Sequence, residues 1–244
     1  MQPTTQAADL GPYTATISGK HYHLVPPGGL NAEHCPVDIN DIAHHLCHVA
    51  RFTGATSRVY TVAEHSILCA DMAAAQGLSE RWQLAALLHD AHEAYLNDMA
   101  QPIKIALDWI CAAQMGEFKF NPWEQLENEH ASHVYEQLGV ASAFIGPQSS
   151  LIKQIDLCAL AHEKATIGPR DPQPWPIIQG IPLQERWLNT INRRSSGWNK
   201  HTLRTHFLDR YHWLKGQIAE QAKESALRVA DAPAPNEPVL HVQV

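Results

Sequence analysis

The chain has 244 residues, 45% of them hydrophobic and 18% charged, with 16 histidines and a formal charge of −7 when histidine is neutral. That is an ordinary globular composition, long enough to bury a core in one large domain or two small ones. Net acidity argues against stable nucleic-acid binding, which relies on neutralising phosphates, and no apolar run reaches the roughly 18–20 residues of a membrane span.

Residues 1–37 read as a turn-rich N-terminal extension around Pro26-Pro27-Gly28-Gly29, in which Ile17 to Val25 alternates weakly as a short strand or hairpin. The start lacks the basic and apolar stretches of a signal peptide. The five cysteines, Cys35, Cys47, Cys69, Cys111 and Cys158, never form a C-x-x-C pair. We therefore expect a cytoplasmic protein with reduced thiols, most of them small core residues.

From Asp38 the pattern turns helical, with Ile39, Ile42, Ala43, Leu46 and Val49 at 3–4 spacing and Asp38 as the cap. A second helix is predicted over Val62 to Ala75, ended by Gly77. A third follows Ser79 and carries Leu84, Leu87, Leu88, Ala91 and Tyr95. Pro102 opens a fourth, through Ile103 to Ala113. Asn121-Pro122-Trp123-Glu124 starts another with a cap, a proline at the first turn and an early acid, and Gly139 ends it. A further helix spans about Ser150 to Thr166. Pro169, Pro172, Pro174, Pro176 and Pro182 then mark a long irregular segment, before a final long helix from His201 to about Val229. The tail over 231–244 reads as disordered. The fold class is therefore all-α, with one helical domain over residues 38–230.

Three strings place chemistry inside apolar helices: Ala63-Glu64-His65-Ser66, Leu88-His89-Asp90-Ala91-His92-Glu93 and Gln154-Ile155-Asp156-Leu157. Burying such groups costs free energy unless they are paired or ligated. His65, His89, Asp90 and Asp156 together offer two nitrogens and two oxygens. That set suits one divalent ion (Mn, Co, Ni, Fe or Zn) with open water positions, and without thiolates a closed structural zinc site does not fit.

His65, then His89-Asp90, then Asp156, in helices and in that order, resembles the HD-domain phosphohydrolase superfamily. The run from Arg51-Phe52 through Tyr60 to His65, with the run from His89-Asp90 through Glu93 and Asp98 to Pro102-Ile103-Lys104, is similar to the branch of bacterial and phage 5′-deoxynucleotidases. The resemblance covers roughly residues 38–165 and implies an HD-domain helical bundle. It implies His65, His89, Asp90 and Asp156 as metal ligands and Glu93 as the residue that orients or deprotonates the attacking water. Asp98 would act in catalysis and sugar contact, and Arg51 and Lys104 would bind phosphate. Asn97 stands where a glycine is common before the aspartate. The implied activity is hydrolysis of a deoxynucleoside 5′-phosphate. The alternatives are a dNTP triphosphohydrolase, with Arg58, Lys104 and Lys153 as further cations for the phosphate chain, and a non-catalytic nucleotide-binding regulator. The expected partner is a small-molecule nucleotide, with homo-oligomers common in the branch.

Other residues read more plainly. His92 is a supporting partner or a solvent-facing side chain. His44, His45 and His48 lie on the polar side of the first core helix, and His130, His133, His162, His201, His206 and His212 follow helix faces without a ligand pattern. Trp109, Trp123, Trp187, Trp198 and Trp213 read as packing anchors.

Overall fold

The computed structural model describes residues 10–115, 121–141, 144, 150–194 and 199–230; Trp198 and the tail over 231–244 lie outside them. The sequence opens with a small antiparallel pair, β1 (Tyr13–Ala15) and β2 (His21–His23), in register Tyr13↔His23 and Ala15↔His21. The hairpin is as expected, but Ile17 to Lys20 form its turn and the first strand precedes them. Helices α1 (Ile39–Leu46), α2 (Val62–Ala75) and α3 (Glu80–Leu88) follow. Asp38 caps α1 by accepting from the Asn40 N–H at 2.9 Å.

Helix α2 is the axis of the fold. Its apolar residues surround it instead of marking one stripe, the signature of a helix buried on all sides. Val62, Ala63, Leu68, Ala70 and Ala73 are each fully buried, against α1, α3, α7 (Ser150–Thr166) and α9 (Lys200–Ala230). The remaining helices are α4 (Glu93–Leu96), α5 (Gln101–Met115), α6 (Pro122–Gln137) and α8 (Glu185–Arg194). Asn121 caps α6 as its sequence predicts, accepting from Trp123 and Glu124 N–H groups. Among the described residues no helix is long and apolar enough to cross a membrane.

Four expectations are corrected. The third helix does not run on to Tyr95: it ends at Leu88, and the chain tightens through His89–His92 with i→i−3 bonds (Ala91 N to Leu88 O, 2.9 Å; Glu93 N to Asp90 O, 3.0 Å) before α4. Helix α8 lies in the stretch between the prolines and His201, held by Trp187 and Ile191, which are buried four residues apart on one face. Trp109 and Trp213 are not packing anchors, being 73% and 48% exposed. His92 is not solvent-facing but 6% exposed.

The N-terminal extension is tied into the helical body. Tyr22 is fully buried and stacks on Tyr95 with ring centroids 3.9 Å apart, and the Thr14 hydroxyl donates to the Tyr95 carbonyl at 3.0 Å. Asp41 of α1 accepts from the Ser18 backbone and hydroxyl at 3.1 and 2.7 Å. The cysteines are free; Cys35, Cys47 and Cys69 are buried, as expected, while Cys111 and Cys158 are half-buried.

Candidate metal centre

His65 comes from the first turn of α2, His89 and Asp90 from the tight turn after α3, and Asp156 from α7. Their ligand atoms converge. His65 Nε2 lies 3.2 Å from His89 Nε2, 3.5 Å from Asp90 Oδ2 and 3.3 Å from Asp156 Oδ1. His89 Nε2 lies 3.2 Å from Asp90 Oδ2 and 4.0 Å from Asp156 Oδ1. Donors about 2.0–2.2 Å from one ion stand roughly 3–3.5 Å from each other, so this spread fits a single divalent cation.

The opposite ring edges fix which nitrogen faces the cluster. His89 Nδ1 donates to the Ala86 carbonyl at 2.8 Å. His65 Nδ1 lies 2.6 Å from Glu163 Oε1, on the same helix as Asp156. A donating Nδ1–H leaves the Nε2 lone pair aimed inward, the arrangement that prepares an imidazole for a metal. Two lone pairs and two carboxylates aimed at one point repel each other unless positive charge lies among them.

That need for positive charge is visible in the proton affinities. Burial opposes ionisation of Asp90 and Asp156, but the two imidazoles outweigh it and hold both below the usual carboxylate range, with Arg51 adding to the effect at Asp90. Burial and Arg51 disfavour a second proton on His65; the neighbouring Cys69 and Glu163 and the hydrogen bond it donates to Asp156 reverse this and raise it well above the ordinary imidazole value. Cys69 Sγ sits 3.5 Å from His65 Nε2, its thiol pushed up to about 11 by burial.

Glu163 is the residue that sequence reasoning missed. It is 0% exposed, accepts the Tyr60 hydroxyl at 2.8 Å, holds His65, and stands 3.3 Å from Arg51 Nε. Burial opposes its ionisation, yet His65 and Arg51 keep it below the ordinary glutamate value. Its one sequence signal is its position seven residues after Asp156, two turns on along the same face of α7.

Arg51 is 8% exposed and reaches Asp90 at 3.5 Å, so the structure brings it to the cluster edge. The turn that presents it is strained: Phe52 and Thr53 have φ of 56° and 52°, a left-handed pair that L-residues avoid. Glu93 is buried, with Oε2 lacking a hydrogen-bond partner; burial first, then the charges of Asp90 and Asp98, raise its pKa well above the ordinary value. Asp98 is half-buried and raised by burial and Asp90 against the pull of Arg51. Lys104 is turned to Glu127 of α6, with Nζ at 2.6 and 2.8 Å from its two oxygens.

Asn97 has φ 66° and ψ 162°, a region that essentially only glycine occupies without strain, and its side chain is exposed. Asn97→Gly should therefore raise stability by about 1 kcal/mol, after the entropy of the unfolded glycine is subtracted. In a chain of this size that is a rise of roughly 2–4 °C in Tm. A lower melting temperature would show that the asparagine is not strained.

These elements define a mostly helical protein in which His65, Cys69 and His89, and likewise His92, Glu93 and Glu127, form groups able to hold a metal ion. No protein-family model matches the chain. It belongs to the same family as Uncharacterized protein YfdR of Escherichia coli K12, with 30% identity over 173 residues, covering 71% of this chain and 82% of that protein. It is also similar to Uncharacterized protein RCAP_rcc00048 of Rhodobacter capsulatus, with 34% identity over 156 residues, covering 62% and 71% of the two chains.

Proposed function

We propose that this chain is an HD-type, metal-dependent phosphohydrolase acting on a deoxynucleoside 5′-phosphate. The convergence of His65, His89, Asp90 and Asp156 carries the reading, because those four residues also bear the resemblance to that superfamily. A divalent ion held by these four residues would act as a Lewis acid and lower the pKa of a water beside it.

The remaining roles fall to side chains of this chain. Glu93 has a raised proton affinity and an unpartnered oxygen, which suits a group that takes a proton from water near neutral pH. Arg51, held by Glu163 and Asp90, offers a fixed guanidinium to phosphate oxygens. Asp98, beside them, contacts the sugar or protonates the leaving oxygen. Lys104 joins the phosphate on leaving Glu127.

A monophosphate is favoured over a triphosphate by where the cations lie. Arg58 and Lys153 are each already bound to a carboxylate, Glu64 at 2.8 Å and Asp156 at 2.8 Å. The test is a panel of dNMPs, NMPs and dNTPs with Mn²⁺, Co²⁺, Ni²⁺, Zn²⁺ and Mg²⁺, with the product identified. Phosphate release from dNMPs, abolished by chelator and restored by metal, is the expected result. Triphosphate release would move the reading to the dNTP hydrolases. Nucleotide binding without turnover on any metal would replace it with a non-catalytic regulator.

A further inference from the structure

A second group of donors lies in the turn and helices next to the four-donor cluster. His92, Glu93 and Glu127 each bring one ligand atom to within 4.8 Å of the others. His92 and Glu93 are each 6% exposed, and neither His92 Nε2 nor Glu93 Oε2 has a hydrogen-bond partner. Buried polar atoms are rarely left unsatisfied, and each costs free energy when it is. Two such atoms converging on one carboxylate therefore call for an occupant.

The contacts around them do not supply it. Glu127 Oε1 stands 3.7 Å from His92 Nε2, beyond hydrogen-bond reach. On the other ring edge the Tyr135 hydroxyl lies 3.4 Å from His92 Nδ1, and that hydroxyl also donates to the His89 carbonyl. Glu127 does hold a positive charge already, the Lys104 ammonium.

The geometry points to a second divalent-cation site made by His92 Nε2, Glu93 Oε2 and one oxygen of Glu127, with the Lys104 ammonium as its built-in competitor. One imidazole and two carboxylates, with positions left for water, suit Mn²⁺, Fe²⁺ or Zn²⁺. Bonds of about 2.0–2.2 Å to one ion would draw the three donors closer together than they stand, His92 Nε2 and Glu127 Oε1 being 3.7 Å apart. The ion satisfies both orphaned atoms at once. Oε2 is the same Glu93 oxygen that the phosphohydrolase reading gives to water, so an ion here would compete with that role, and the site is tested apart from turnover.

The experiment counts ions and does not use turnover. The full chain, stripped of metal, is titrated with Mn²⁺, and free Mn²⁺ is followed by electron paramagnetic resonance. The native chain should bind two equivalents, and Glu127→Gln one. Asp156→Ala should lose the other equivalent and keep the one held by His92. Lys104→Met, at a partly exposed position, should tighten the second site by about tenfold, since a unit charge at contact distance repels a divalent ion by more than 1 kcal/mol even in water. A single equivalent in both the native chain and Lys104→Met, lost in Asp156→Ala, would overturn this site and leave the four-donor centre standing. Two equivalents retained in Glu127→Gln would overturn it as well. Zero equivalents in the native chain would overturn both centres. Should Glu127→Gln fail to fold, Lys104→Met decides the question.

Discussion

Asp90→Ala is expected to weaken divalent-cation binding by on the order of 100-fold or more, since removing even a supporting partner of a metal ligand typically costs 10–100-fold. Asp90 Oδ2 lies 3.2 Å from His89 Nε2 and 3.5 Å from His65 Nε2, so its loss removes one side of the cluster. On the proposed reading, phosphohydrolase turnover should fall with the metal and should not return at saturating substrate. The fold should survive, because Arg51 keeps Glu163 as its counter-charge. The checks are metal content of the purified variant and turnover against added metal. Full metal content with full turnover would reject the ligand assignment.

The second large effect lies at a residue with no motif. Glu163→Ala leaves the guanidinium of Arg51 buried with only Asp90 opposite it, and strips His65 Nδ1 and the Tyr60 hydroxyl of their shared acceptor. Breaking a buried ion pair on one side costs about 3–5 kcal/mol, which urea unfolding would read as a large fall in midpoint. Glu163→Gln keeps an acceptor but not the charge and should cost less. Tyr60→Phe removes one hydrogen bond and should cost about 1 kcal/mol. Metal affinity should fall in both Glu163 variants, because the ring of His65 is no longer held in its inward tautomer. A loss under about 1 kcal/mol in Glu163→Ala would mean that Arg51 and His65 find other partners.

How far the sequence was legible varies by element. Helices α2 and α7 match their predicted limits because each combines a clear breaker or cap with a dense apolar run. The His65, His89, Asp90 and Asp156 cluster was legible because polar groups inside such runs need a partner. The break after Leu88 was not, since a turn of i→i−3 bonds keeps nearly helical spacing. Helix α8 was hidden by the prolines before it. Glu127 carries no local signature and Glu163 only its spacing from Asp156: each is an ordinary helical acid until tertiary packing sets it against Lys104 and His92, or against Arg51 and His65.

Several of the histidines outside the cluster serve as joints. His45 donates from Nδ1 to the Ala94 carbonyl and accepts the Ile17 N–H at Nε2. His162 donates to the Cys158 carbonyl and accepts the Gln184 N–H. His130 donates to the Leu24 carbonyl and accepts from the Tyr22 hydroxyl. Each ties a non-helical stretch to a helix, a task that needs one donor and one acceptor on a single rigid ring. Lysine cannot accept and a carboxylate cannot donate, so the abundance of this residue is architectural as much as chemical. At His130, where burial holds the imidazole below its ordinary value, a proton added to the accepting nitrogen would set donor against donor and free Tyr22 of the hairpin from α6.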